Sequence, residues 1–212
     1  MICLQGGAEF TPPCRDMDAA LLSAVGLCPV VVVSLAAAPG RDYARATANG
    51  VRHFDKLGVT ATGAPDARRD PDAALAAVAR AGLVVLPGGS PARLLGGLAT
   101  TGMGDAIARH VGAGGAVMGS SAGAMALCEH TVLPGRCPSL VAGLGLVPGC
   151  LVVPHYDGST DWESLAPDGV TVLGLPECAG LLVEGGMATA VGQAPSIVAG
   201  KARARGESVR LW

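Results

Sequence analysis

Charge and aromatic rings are both scarce in this chain. Only 15% of its 212 residues are charged and only 3% are aromatic, while half are hydrophobic. Such a chain is compact and packs a core of small side chains; it is not disordered. There is no basic run of the kind that marks a nucleic-acid footprint, and the net charge is −2. Lys201-Ala202-Arg203-Ala204-Arg205 is short and reads as a solvated turn. No uninterrupted apolar run approaches the ~18 residues of a membrane span. The opening Met1-Ile2-Cys3-Leu4-Gln5-Gly6 has neither the basic start nor the long apolar core of a signal peptide. Seven cysteines include no CxxC pair, and their odd number and lack of metal spacing argue for reduced thiols and against zinc. A cytoplasmic location follows as the expectation. The length suits one α/β domain over residues 1–212.

What the chain does contain centres on Val117-Met118-Gly119-Ser120-Ser121-Ala122-Gly123-Ala124. An apolar run predicts a strand, and the Ala/Met/Leu-rich stretch to Cys128 predicts a helix. The turn between them fits G-x-S-x-G. Small neighbours are required where a serine sits on a strained strand-to-helix turn. Ser121, the central serine of the pattern, is the candidate nucleophile. The helix dipole and the N–H of Ala122 would stabilise an oxyanion there. The alternative is a Gly/Ser-rich turn with no chemistry.

Strands and helices alternate before this point. Met1–Gln5 reads as a buried strand followed by the loop Gly6-Gly7-Ala8-Glu9-Phe10. Ligands bind at the C-terminal ends of such strands, so Glu9 is a candidate substrate contact, or else a capping or solvated carboxylate. Helices are predicted over 16–25, 41–57, 70–81, 90–98 and 103–113, and strands over 28–35, 59–62 and 83–86. Asp70-Pro71 and Ser90-Pro91 are strong helix starts. Pro87-Gly88-Gly89-Ser90 closes a buried strand, and its glycines allow N–H groups to approach a bound oxygen. Gly88 and Gly89 are therefore candidates for the second half of an oxyanion hole, and Ser90 for a substrate contact. This order predicts a three-layer sandwich with a mainly parallel sheet flanked by helices. Residues 131–150 read as loop with a short strand or two. After two more strands, over 151–153 and 171–175, short apolar runs from Gly180 onward predict late antiparallel strands.

A serine nucleophile needs a base and an orienting acid. His53 and His110 fall mid-helix among exposed-looking residues, and His130 lies at the far end of the elbow helix. His155 directly follows an apolar strand, which brings it to the sheet edge of Ser121. Glu129, about two turns down the elbow helix, is misplaced as the acid. Glu177 follows the next strand and is preferred; Asp157 is the runner-up and a further candidate substrate contact.

The set Leu86-Pro87-Gly88-Gly89, Gly119-Ser120-Ser121-Ala122-Gly123-Ala124, Pro154-His155-Tyr156 and Gly174-Leu175-Pro176-Glu177 resembles peptidase family S51. That family includes aspartyl dipeptidase and cyanophycinase and has a class I glutamine-amidotransferase-like fold. Leu4-Gln5-Gly6-Gly7-Ala8-Glu9-Phe10 is similar to its cyanophycinase-like branch. The resemblance implies Ser121 as nucleophile, His155 as base and Glu177 as orienter. It also implies N–H donors from Ala122 and the Gly88/Gly89 loop, a small peptide or amide substrate, and no metal or other cofactor.

One departure concerns specificity. The resemblance to peptidase E implies a longer segment after the histidine, where a basic residue holds an aspartyl carboxylate. Here no Lys or Arg occurs between Arg136 and Lys201, whereas Asp157, Asp161, Glu163, Asp168, Glu177 and Glu184 do. Such a lining predicts loss of strict Asp-Xaa specificity and a preference for an amine-bearing or neutral residue, unless Arg15, Arg41 or Arg93 reaches the pocket. Rival readings are a binding or assembly protein that keeps the fold, and an amidase or esterase acting on a small metabolite. A glutamine amidotransferase would need a cysteine at position 121. A homodimer is compatible with the small, apolar composition.

Overall fold

The computed structural model describes residues 1–158 and 164–212. The N-terminal half alternates as expected. In order it runs β1 (Ile2–Gln5), α1 (Arg15–Val25), β2 (Val30–Val32), α2 (Arg41–Lys56), β3 (Ala61–Gly63), α3 (Pro71–Ala79), β4 (Leu83–Leu86), α4 (Pro91–Thr100), α5 (Met103–Gly112), β5 (Ala116–Ser120) and α6 (Ala122–Leu127). Two predicted helix starts have their caps. Asp70 accepts from the Ala73 N–H at 3.0 Å and Ser90 from the Arg93 N–H at 3.2 Å. Ser90, a candidate substrate contact, thus spends its hydroxyl oxygen on α4.

Strands β3, β2, β4, β5 and β1 lie side by side and parallel. Beyond β1 the sheet continues antiparallel through β10 (Ala179–Glu184), β11 (Met187–Gly192) and β14 (Ser208–Arg210). Both faces are buried, which is why the central strands are continuously apolar. Val31, Val84 and Val117 face one core with α3, α4, α5 and α6. Val30, Val85 and Met118 face the other, with Leu21 and Leu22 of α1 and Phe54 of α2. Each such fully buried side chain contributes about 1.5–3 kcal/mol.

The sequence reading missed a second sheet. It is built from β6 (Cys128–Leu133), β7 (Ser139–Ala142), β8 (Val147–Pro154), β9 (Thr171–Leu175), β12 (Ser196–Val198) and β13 (Lys201–Arg203), in the order β13-β12-β9-β8-β6-β7. Its core, with Val132, Leu151, Val153 and Leu173, is continuous with that around α6. The segment 131–150, expected as loop with a short strand or two, therefore holds parts of three strands, β6, β7 and β8. Glu129 and His130 lie on β6, because α6 stops after six residues when Cys128 turns extended. Lys201–Arg203 is a strand as well: Ala199 and Gly200 both take positive φ, the geometry of a tight hairpin turn between β12 and β13. No helix of the described residues is long and apolar enough to cross a membrane.

Candidate active site

Parallel pairing gathers the candidate residues at one edge. In β1, β5 and β4, Gln5 pairs with Ser120 and Leu86 with Gly119, so Gly6, Ser121 and Pro87 leave the sheet together. Ser121 has φ 49° and ψ −113°, a strained conformation for a residue with a Cβ. It is held by its N–H, which donates to the Gln5 carbonyl at 2.9 Å. Glycine is required on both sides of it. A Cβ at Gly123 would lie 2.1 Å from the Leu86 carbonyl oxygen, and one at Gly119 would lie 2.4 Å from the Gly123 carbonyl carbon.

The second sheet supplies the other two groups. Strands β8 and β9 are parallel and pair Pro154 with Leu175, so His155 and Glu177 emerge side by side. The His155 N–H donates to the Gly6 carbonyl at 3.0 Å, which ties the two sheet edges together. Ser121 Oγ lies 3.0 Å from His155 Nε2, and His155 Nδ1 lies 3.3 Å from Glu177 Oε1. The imidazole rests against Gly7, where a Cβ would lie 2.4 Å from His155 Cε1. The carboxylate described against Nδ1 is that of Glu177, the preferred acid of the sequence reading. Glu129, rejected as that acid, accepts instead from the Gly149 N–H at 2.7 Å.

The oxyanion donors need one correction. Gly88 is beside the serine, since its Cβ would lie 3.2 Å from Ser121 Cβ, but its N–H donates to Glu9 Oε1 at 2.8 Å. The other Glu9 oxygen accepts from Ser120 Oγ at 3.0 Å. Glu9 therefore anchors the Pro87–Ser90 turn and the elbow together. The Gly89 and Ala122 N–H groups have no partner among the described residues. Gly89, at φ 141°, packs where a Cβ would strike the Ala36 carbonyl oxygen at 2.7 Å.

A cavity of about 540 Å³ opens beside Glu9 and Gly88. Phe10 and His53 line it, and Arg15, Arg52 and Lys56 bring positive charge to it. His53 contradicts its exposed reading. It is 9% exposed, on the apolar face of α2, because the fully buried Asp18 provides a partner 2.6 Å from its Nε2. Asp18 also accepts from Gln5 Nε2 at 2.6 Å. Arg15, one of three arginines held able to restore an acidic preference, reaches this cavity. Arg93 instead donates to the Ala36 carbonyl, and Arg41 opens α2. Of the acidic lining expected after His155, Asp161 and Glu163 lie outside the described residues.

A strained serine on a strand-to-helix turn, within hydrogen-bond distance of a histidine, is the arrangement of a serine-type peptidase, and comparison with known proteins gives that class. Residues 30–191 match the model of peptidase family S51, and the chain belongs to that family. A crystal structure of a peptidase from an acI-B1 Actinobacterium is similar with a TM-score of 0.81 and 24% identity, over 99% of this chain and 96% of that one. A candidate peptidase E protein from Listeria monocytogenes EGD-e is similar with a TM-score of 0.64 and 15% identity, over 91% of this chain and 98% of the other. These likenesses show the fold. No curated protein matches the sequence.

Proposed function

We propose that the chain hydrolyses a small peptide or amide through Ser121, His155 and Glu177. The observation that carries this reading is the 3.0 Å approach of Ser121 Oγ to His155 Nε2, with Glu177 behind the ring. His155 takes the hydroxyl proton as Ser121 attacks the scissile carbonyl carbon. The oxyanion forms against the Ala122 and Gly89 N–H groups. Glu177 orients the ring and stabilises the imidazolium. His155 then gives the proton to the leaving nitrogen as the C–N bond breaks. Water, deprotonated by the same imidazole, releases the acyl group and regenerates Ser121. The seven unpaired cysteines accord with a cytoplasmic setting.

Mass spectrometry after treatment with a fluorophosphonate tests this. The expected result is one adduct on Ser121, absent from Ser121→Ala. A folded protein that takes no adduct would overturn the serine mechanism and favour a binding role on the same fold.

A further inference from the structure

The cavity beside Glu9 has no part in the proposed acyl transfer, yet its charges are unusual for this chain. Three cationic side chains, Arg15, Arg52 and Lys56, line one wall. Among the described residues none of the three forms a salt bridge with a carboxylate. Arg15 makes a long 3.4 Å contact with the Lys56 carbonyl, and Arg52 donates to the Asn49 side chain. The one carboxylate lining the cavity, Glu9, is engaged by the Gly88 N–H and Ser120 Oγ. Asp18 lies behind the wall, occupied by His53 and Gln5. Three positive charges thus line one concavity against the single carboxylate of Glu9, in a protein whose net charge is −2.

We infer that this cavity binds the acidic part of a peptide whose scissile bond lies at Ser121, with Arg15, Arg52 and Lys56 as the carboxylate-binding residues. The inference rests on the peptidase reading for its geometry: Gly88 lines the cavity, and a Cβ placed on it would lie 3.2 Å from Ser121 Cβ, so the cavity borders the turn that carries the serine. The volume of about 540 Å³ falls in the range of sites that take a small-molecule ligand. The apolar part of the wall comes from Phe10, whose ring lies 5.5 Å from that of His53 and 6.2 Å from that of Phe54. Guanidinium groups suit carboxylates because they can offer paired N–H donors. Acid recognition therefore comes from α1 and α2.

The test uses Ser121→Ala protein, which cannot turn over, with triglutamate and trialanine as probes in calorimetric titrations. Triglutamate is expected to bind at least tenfold tighter than trialanine, with affinity falling as salt is added. The double change Arg52→Glu/Lys56→Glu is expected to remove that preference. Arg52→Lys/Lys56→Arg, which keeps the charges and guards against misfolding, is expected to retain most of it. Equal affinity for the two peptides, or a preference that survives charge reversal, would overturn the inference. Fluorophosphonate labelling of the wild type reports separately on the serine mechanism. Triglutamate binding without labelling would leave the anion site standing and remove the peptidase mechanism.

Discussion

Gly7 is the position at which a single methyl group should disable the site. Its φ is 145°, and a Cβ there would stand 2.4 Å from His155 Cε1 and 2.7 Å from Nδ1. Unbonded carbons settle at about 3.5–4.0 Å, so in Gly7→Ala the imidazole must retreat by about 1 Å. The ring is held by contacts of 3.0 Å to Ser121 and 3.3 Å to Glu177, and both would pass beyond hydrogen-bond range. A misplacement of that size costs roughly 10²-fold in rate, or about 2.7 kcal/mol of barrier. The substitution also carries a backbone penalty of about 1–3 kcal/mol for a positive φ. Gly40→Ala separates the two effects. Gly40 has φ 82°, but a Cβ there meets nothing within 4 Å. Both variants should melt lower, by roughly 2–4 °C per kcal/mol for a domain of this size. Only Gly7→Ala should slow labelling of Ser121, read as the second-order rate with a fluorophosphonate. If Gly7→Ala is labelled as fast as Gly40→Ala, the ring does not depend on the glycine and the argument fails.

Three further expectations concern charge and burial. Glu177→Gln should slow Ser121 labelling about 10²-fold, less than the ~10⁴-fold of a buried triad carboxylate, because the Glu177 side chain is 63% exposed; an unchanged rate would remove Glu177 from the mechanism. Glu9→Ala strips the acceptor from the Gly88 N–H and from Ser120 Oγ and should lower stability by about 2–4 kcal/mol in urea denaturation. Glu9→Gln should recover part of that loss, and equal stability of all three proteins would contradict the anchoring role. Burial pushes the Cys150 thiol and the Tyr43 hydroxyl up to about 12, and the Cys128 thiol upward as well. These groups hold protons in the folded state that the unfolded chain releases, so their stabilisation is complete below about pH 8.5 and is lost as pH rises. Urea midpoints should fall between pH 8.5 and 10.5, less steeply in Cys150→Ala, and a flat profile would refute the assignment.

The elbow was legible because its constraints are local. A strand, a glycine-flanked serine and a short helix occupy consecutive residues, and backbone crowding alone demands the small side chains. His155 and Glu177 were legible because each directly follows an apolar run. The second sheet was not, since β8 begins Val147-Pro148-Gly149 and its apolar signal emerges only at Leu151. Its parallel pairing with β6, interrupted by a register shift between Cys128 and His130, is a long-range choice. His53 looked solvated because its partner, Asp18, lies 35 residues away. The engagement of Gly88 by Glu9 spans 79 residues and depends on the packing of two loops, which no local pattern records. The cationic wall escaped for the same reason: Arg15 is on α1, whereas Arg52 and Lys56 are on α2.

The pairing of β1 bears on when a growing polypeptide completes its candidate site. Its outer edge is covered by β10, through pairs running from Ile2–Val183 to Gln5–Gly180. A nascent chain extended only to residue 178 would already carry serine, histidine and glutamate. The strand that supports Gly6 and Gly7, and through them the imidazole, would still have an open flank. The support of the imidazole is therefore completed only after Ser121, His155 and Glu177 have been made, with the segment that seals the sheet.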